Sequence, residues 1–322
     1  MSDSKGVLAR VLTLEIVRVT EQAAIAAAKW RGKGDEKPAD QAAVDAMRRQ
    51  LNTLDIAGRV VIGEGERDEA PMLFIGEEVG TGNGPAVDIA VDPLEGTTIC
   101  AKALPDSLAV LAMAEGGSLL HSPDIYMNKI AVGPGFSEGI VDLDASPAEN
   151  LNALAKEKGC KPGDLTACIL DRPRHADLIR GVREAGAAVK LIGDGDIAGV
   201  IHTTNPEETG IDIYMGVGGA PEGVLAAAAL RCIGGQIQTR LHPLKDEDAQ
   251  RVAAIGIDDI NRKYNMNDLA KGDVIFSATG VTDGSMLSGV KYGNTVKTQT
   301  VVMRSATKTV RWITTEHQVR GG

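Results

Sequence analysis

The run Asp-Ile-Ala-Val-Asp-Pro-Leu-Glu-Gly-Thr (88–97) holds the densest set of reactive groups in the chain. Val87, Ile89 and Val91 alternate with Asp88, Ala90 and Asp92, which is the period of a strand. Pro93 then forces a turn, Glu95 comes three residues after Asp92, and Gly96 and Thr97 follow. That spacing points two carboxylates, a backbone amide and a hydroxyl at one spot. Carboxylate oxygens are the ligands that hard cations such as Mg²⁺ and Mn²⁺ prefer. Two further acidic, glycine-rich segments resemble it in character: Gly-Glu-Gly-Glu-Arg-Asp-Glu (63–69), and Gly-Gly-Ala-Pro-Glu-Gly (218–223). One acidic run is ordinarily a solvated face or a helix cap. Three of them at expected strand ends, where open α/β sheets place their ligands, point to divalent-cation chemistry.

The elements that position these segments read as follows. Leu8, Leu12, Ile16, Val19, Ala23, Ala26 and Trp30 mark an opening amphipathic helix, which Gly32-Lys33-Gly34 stops. A second helix starts at Pro38 and carries Val44, Met47 and Leu51 on one face. Strands are expected at 60–62, 87–91, 108–113, 165–170, 189–192, 211–217 and 274–278. Helices are expected over 148–158, around Leu178 and Val182, and over 221–233; residues 193–196 read as a turn, and 300–303 with 309–313 as a closing hairpin. Strands alternating with helices give an α/β fold with sheets covered on both faces.

Composition excludes several classes of function. The net charge of −10 and an aromatic content of 3% disfavour binding to nucleic acid. No stretch reaches the roughly 20 apolar residues of a membrane span, and no signal peptide is expected from the polar run MSDSKG and the charges at Arg10, Glu15 and Arg18. The four cysteines are far apart in sequence, as expected of thiols in a reducing cytosol, so a cytoplasmic location is expected. Gly216-Val217-Gly218-Gly219 sits between a strand and a helix, but Pro221 occupies the last position of a dinucleotide fingerprint. Its amides and the helix start still suit an anion.

Asp-Pro-Leu-Glu-Gly-Thr (92–97) resembles the metal signature of the lithium-sensitive phosphatase superfamily. The segments 60–73, 87–97 and 218–224, with Arg-Val-Thr-Glu (18–21), Pro-Asp-Ile-Tyr-Met (123–127), Pro-Arg-His (173–175) and Phe-Ser-Ala-Thr-Gly (276–280), resemble class II fructose-1,6-bisphosphatase. That resemblance implies a layered α-β-α-β-α sandwich of the sugar-phosphatase type, with two lobes sharing one chain. The lobes are expected at 1–145, with the metal site, and at 146–322, which returns Glu222 to it. The implied metal ligands are Asp40, Glu64, Asp92, Glu95 and Glu222, for Mg²⁺ or Mn²⁺. The implied substrate residues are Glu95, Gly96, Thr97, Tyr126, Arg172, Pro173, Arg174, Asp194, Gly195, Asp196 and Gly219. The family often has Lys at the position of Arg172, and either cation suits a phosphate.

The chemistry of these groups agrees with the roles the resemblance implies. Thr97 is expected to orient the attacking water, with Glu66 or Asp68 taking the proton from the hydroxyl or the water. Tyr126, Arg172 and Arg174 are expected to hold the remote phosphate, and Asp194 and Asp196 the sugar hydroxyls. Read alone, Asp40 is more often a helix cap, Tyr126 a packed tyrosine and residues 194–196 a turn, and His175 has a structural or phosphate-side role. The expected activity is hydrolysis of the 1-phosphate of fructose 1,6-bisphosphate, in gluconeogenesis or a pentose cycle, by a homo-oligomer (dimer or tetramer). The alternatives are sedoheptulose-1,7-bisphosphatase or dual activity, an inositol- or nucleotide-phosphate phosphatase, and a non-catalytic metabolite-binding regulator.

Overall fold

The computed structural model describes residues 8–65 and 72–318. Along the chain come α1 (Leu12–Ala28), α2 (Glu36–Leu51), β1 (Ala57–Ile62), β2 (Glu78–Val79), β3 (Ala86–Glu95), α3 (Thr97–Ala101) and β4 (Leu108–Glu115). Next are β5 (Tyr126–Val132), α4 (Pro147–Lys158), β6 (Thr166–Leu170), α5 (Ala176–Glu184), β7 (Ala188–Ile192), α6 (Asp196–His202) and α7 (Pro206–Thr209). They are followed by β8 (Ile213–Gly219), α8 (Ala220–Ile233), β9 (Gln236–Leu241), α9 (Asp246–Ala254), β10 (Tyr264–Asn265) and α10 (Met266–Leu269). The chain closes with β11 (Val274–Gly280), β12 (Lys291–Tyr292), β13 (Thr295–Arg304) and β14 (Thr309–Gln318). The α/β class expected from the sequence is borne out.

Two compact units share these elements: Met1–Leu119 with Lys271–Gly322, and Leu120–Ala270. The expected boundary between residues 145 and 146 does not coincide with this division. Strand β5 hydrogen-bonds to β8 and β9, so the first crossing comes before it. Strands β11 to β14 return to the first unit, because β11 pairs with β4 from Val274↔Ala114 to Gly280↔Leu108.

The first unit holds an eight-stranded sheet in the order β12-β13-β11-β4-β3-β1-β2, with β14 paired to β13. Helices α1 and α2 cover one face. Ile16, Val19, Ala23 and Ala27 form a fully buried stripe at helical spacing along α1, and Ala39, Ala43, Met47 and Leu51 do the same along α2. These stripes pack on Ile89, Val91, Leu111, Ile275 and Val302 of the sheet. The second unit holds a six-stranded sheet, order β10-β9-β5-β8-β6-β7. Ile130, Ile169, Ile213 and Met215 meet Leu151, Leu154 and Val182 on the α4–α5 face. The alternate residues of β5 face α8, where the position of a β-carbon on Gly223 lies 2.7 Å from Met127 Sδ.

Candidate functional site

In the first unit, a bulge in β3 brings the two carboxylates of the central motif to one face. Asp92 lies opposite Val110 and Glu95 opposite Leu108, so three residues of β3 match two of β4. Val110 and Leu108 are two apart and share a face; Asp92 and Glu95 therefore share one too, despite their odd spacing. Pro93 has no N–H to keep in the ladder, which makes the bulge cheap at that point. Each carboxylate presents an oxygen within 4.8 Å of the other's. Asp92 Oδ1 also accepts the Leu94 amide at 3.2 Å, and Glu95 is 4% exposed.

Other elements supply further groups. Strand β1 runs parallel to β3 with Ile62 opposite Ala90, and Glu64 follows as Asp92 follows Ala90. Gly63 has no room for a side chain, since a β-carbon would lie 2.0 Å from the Leu73 carbonyl oxygen, and the Glu64 amide donates to that same oxygen at 3.0 Å. Helix α2 is capped by Asp35, whose side chain accepts from the Lys37 amide; Asp40 therefore lies a turn inside the helix and is not its cap. Burial, and secondly the charge of Asp92, push the Asp40 carboxyl up to about 6. Gly96 adopts φ 75°, ψ 59°, a left-handed conformation that glycine takes without penalty, and starts α3 at Thr97. The neighbouring Thr98 hydroxyl is committed to Glu36 Oε1 at 2.6 Å. Asp88, in the same run, is structural: it accepts the Ser118 and Leu119 amides at 2.7 and 3.0 Å. Glu66 and Asp68 lie outside the described residues.

Asp92 and Glu95 fit a divalent cation: both are hard oxygen donors, each with an oxygen within 4.8 Å of the other's. Asp40 lies close enough to Asp92 to feel its charge, which adds to the larger effect of burial on its carboxyl. A measurable consequence follows for chelator-treated protein. A carboxyl whose folded pKa is raised costs stability only when ionised, so the cost is absent below the unfolded value of about 4 and complete above the folded value. Asp40→Asn removes it. The Tm advantage of Asp40→Asn over wild type should be near zero at about pH 4 and grow through the window up to about pH 7. A constant difference across that window would contradict this account.

In the second unit, the expected phosphate-holding residues gather at one end of the sheet. Arg174 stacks its guanidinium over the exposed Tyr126 ring, 4.7 Å from the centroid, and donates to the Val217 carbonyl from Nε at 3.1 Å and Nη2 at 2.7 Å. Pro173 begins a 3₁₀ turn over Pro173–His175. Arg172 donates to the Gly193 carbonyl at 2.5 Å and faces Asp194 at 3.8 Å. His175 has the structural role: Nδ1 donates to Leu170 O at 2.7 Å, Nε2 accepts from the Val217 amide at 2.8 Å, and burial pushes its pKa down. Gly195, at φ 81°, starts α6 where a turn was expected. Asp196 is separated from Asp194 in environment: it is 5% exposed and binds Lys129 Nζ at 2.5 Å. Gly219 precedes α8, and Glu222 occupies the first turn of that helix.

The family model for bacterial fructose-1,6-bisphosphatase, glpX-encoded, matches residues 10–317. The chain belongs to this family. It is 48% identical over 336 residues, covering 96% of each chain, to the D-fructose 1,6-bisphosphatase class 2/sedoheptulose 1,7-bisphosphatase of Synechococcus sp. (strain JA-3-3Ab). A protein of the same name from Prochlorococcus marinus (strain NATL1A) is 44% identical over 323 residues, again at 96% of each chain.

Against that family background, sequence reasoning missed Lys129. The signal was present: in Tyr-Met-Asn-Lys-Ile-Ala-Val (126–132), Lys129 falls on the same side as Met127 and Ala131, both 0% exposed. A charge on the buried side of a strand is rarely tolerated without a partner.

Proposed function

We propose that the chain hydrolyses the 1-phosphate of fructose 1,6-bisphosphate, giving fructose 6-phosphate and phosphate, and that it accepts sedoheptulose 1,7-bisphosphate as well. The observation that carries the reading is the β3 bulge, which brings Asp92 and Glu95 to one face and one reach. The double name of the cyanobacterial relatives favours the dual activity. Both substrates are ketoses with a phosphate at each end.

Asp92, Glu95 and Asp40 hold the cation, Mg²⁺ or Mn²⁺; Glu64 and Glu222 join them on the strength of the family resemblance. The bound cation supplies Lewis-acid polarisation of the phosphoryl oxygens and neutralises the charge that grows on the leaving oxygen. Thr97 orients the attacking water, and Glu66 or Asp68 takes its proton. Arg174, held flat between Tyr126 and the Val217 carbonyl, and Arg172 anchor the remote phosphate, because a guanidinium matches phosphate oxygens in pairs. Gly96 and Gly219 keep backbone amides open to the substrate. The protein acts as a homo-oligomer, dimer or tetramer, in the cytoplasm. No helix among the described residues is long and apolar enough to cross a membrane.

The test is phosphate release from a panel of sugar mono- and bisphosphates, inositol phosphates and nucleotides with Mg²⁺ or Mn²⁺. Turnover of both ketose bisphosphates, abolished by excess chelator and restored by the metal, is expected. Preference for an inositol phosphate or nucleotide, or undiminished turnover in chelator, would sink the reading.

A further inference from the structure

Lys129 is 1% exposed, yet its ammonium makes two short polar contacts: Nζ donates to Asp196 Oδ2 at 2.5 Å and to the Gly219 carbonyl at 2.6 Å. The fully buried Tyr214 hydroxyl donates to the same Asp196 oxygen at 3.3 Å. One side chain on β5 thus ties down the start of α6 and the junction between β8 and α8. A glycine makes room for it: a β-carbon on Gly218 would lie 2.0 Å from Asp196 Oδ2 and 3.1 Å from Lys129 Nζ. Gly218 of the Gly-Gly-Ala-Pro-Glu-Gly run therefore serves a buried ion pair, whereas Gly223 serves the packing of Met127, whose Sδ would lie 2.7 Å from its β-carbon.

Burying an ion pair is seldom better for stability than apolar packing of the same shape, so its worth lies in the geometry it fixes. Here the tethered points flank the substrate end of the sheet. Asp196 follows the 193–195 turn, whose Gly193 carbonyl and Asp194 carboxylate engage Arg172. Gly219 is the residue from which α8 starts, with Glu222 in its first turn. Asp196 Oδ2 is committed to Lys129 and Tyr214.

We infer that Lys129 is a positioning residue for the sugar bisphosphate: its ammonium sets the placement of the 193–195 turn, through Asp196, and of the α8 N-terminus, through the Gly219 carbonyl. The inference rests on the sugar-bisphosphatase reading and adds to it a residue that touches no substrate atom.

Two variants test it. Lys129→Met keeps the length of the stem but strands the Asp196 carboxylate, so a lowered Tm is expected. Lys129→Met combined with Asp196→Asn removes both charges and should recover most of the lost Tm. A merely structural pair would recover its kinetics along with its Tm. For a positioning residue, the folded double variant should keep a KM for fructose 1,6-bisphosphate raised about 10- to 50-fold, with kcat lowered less than about tenfold, and Asp196→Asn alone, which keeps the ammonium on the Gly219 carbonyl, should raise KM clearly less than the double variant does. Lys129→Arg should fail to restore KM, because a planar guanidinium is too large for the space bounded by Gly218, Asp196 and the Gly219 carbonyl. A wild-type KM in the double variant overturns the inference alone. A wild-type enzyme inactive on both ketose bisphosphates overturns the functional reading and the inference with it.

Discussion

Asp92→Asn and Glu95→Gln are each expected to lower kcat/KM for fructose 1,6-bisphosphate by about 10³-fold or more, with the fold intact, because a neutral amide is a far poorer ligand for a hard cation. The bulge is the reason both should matter. It places the two carboxylates on one face within 4.8 Å of each other, so removing one leaves half of a two-oxygen clamp. Stability should not fall in the metal-free protein. Neutralising Asp92 removes a like charge that helps push Asp40 upward, so the metal-free Asp92→Asn protein should melt at the same temperature or higher. The metal-induced rise in Tm should shrink in both variants, since stabilisation by a ligand follows its affinity. Circular dichroism, melting curves with and without Mn²⁺, and steady-state kinetics decide it. Retained turnover with a retained metal-induced rise in Tm would remove these residues from the metal site.

How far the sequence alone reaches depends on how local the signal is. Asp92-Pro93-Leu94-Glu95 was legible because a proline, a turn and two carboxylates lie within four residues, and the bulge is a local consequence of that run. Helices α1, α2 and α4 were legible from their apolar stripes. The opening helix nonetheless begins about one turn later than its pattern suggests, because residues 9–12 form a turn with the Leu12 amide on the Ala9 carbonyl. Strand β5 was missed because residues of both its faces are buried, which removes the alternation that marks a half-exposed strand. Helix α6 was read as a turn because Asp194-Gly195-Asp196 is turn-like in composition, yet the left-handed Gly195 launches a helix. The division into units was out of reach for a different reason. It depends on β11 pairing with β4 across more than 150 residues of chain, and local periodicity carries no trace of such a partner. Lys129 falls between these cases, since its position on a buried face was readable once β5 was known, whereas its partners Asp196 and Gly219 were not.

Thr97 should show the second large effect. Gly96 is left-handed at φ 75° and its α-carbon sits close under Ile99, where a β-carbon would lie 2.9 Å from Ile99 Cδ1, so the backbone that presents Thr97 has little freedom. Thr98, the next residue, has its hydroxyl bound to Glu36, which leaves Thr97 as the hydroxyl of this turn available to a reacting water. If that hydroxyl orients the water and relays its proton, Thr97→Ser should retain appreciable activity while Thr97→Ala and Thr97→Val each lose about 10²-fold or more in kcat. KM should change less than kcat, because the hydroxyl acts mainly in the transition state. Valine is the informative substitution: it keeps the branched shape and drops only the hydroxyl, so an active Thr97→Val variant would reduce Thr97 to a packing residue. Direct attack by water also predicts that no phosphate resides on the protein during turnover. Rapid-quench mass spectrometry that found phosphothreonine at position 97 would replace the water with Thr97 itself as the nucleophile, and Thr97→Ala would then be inactive for a different reason.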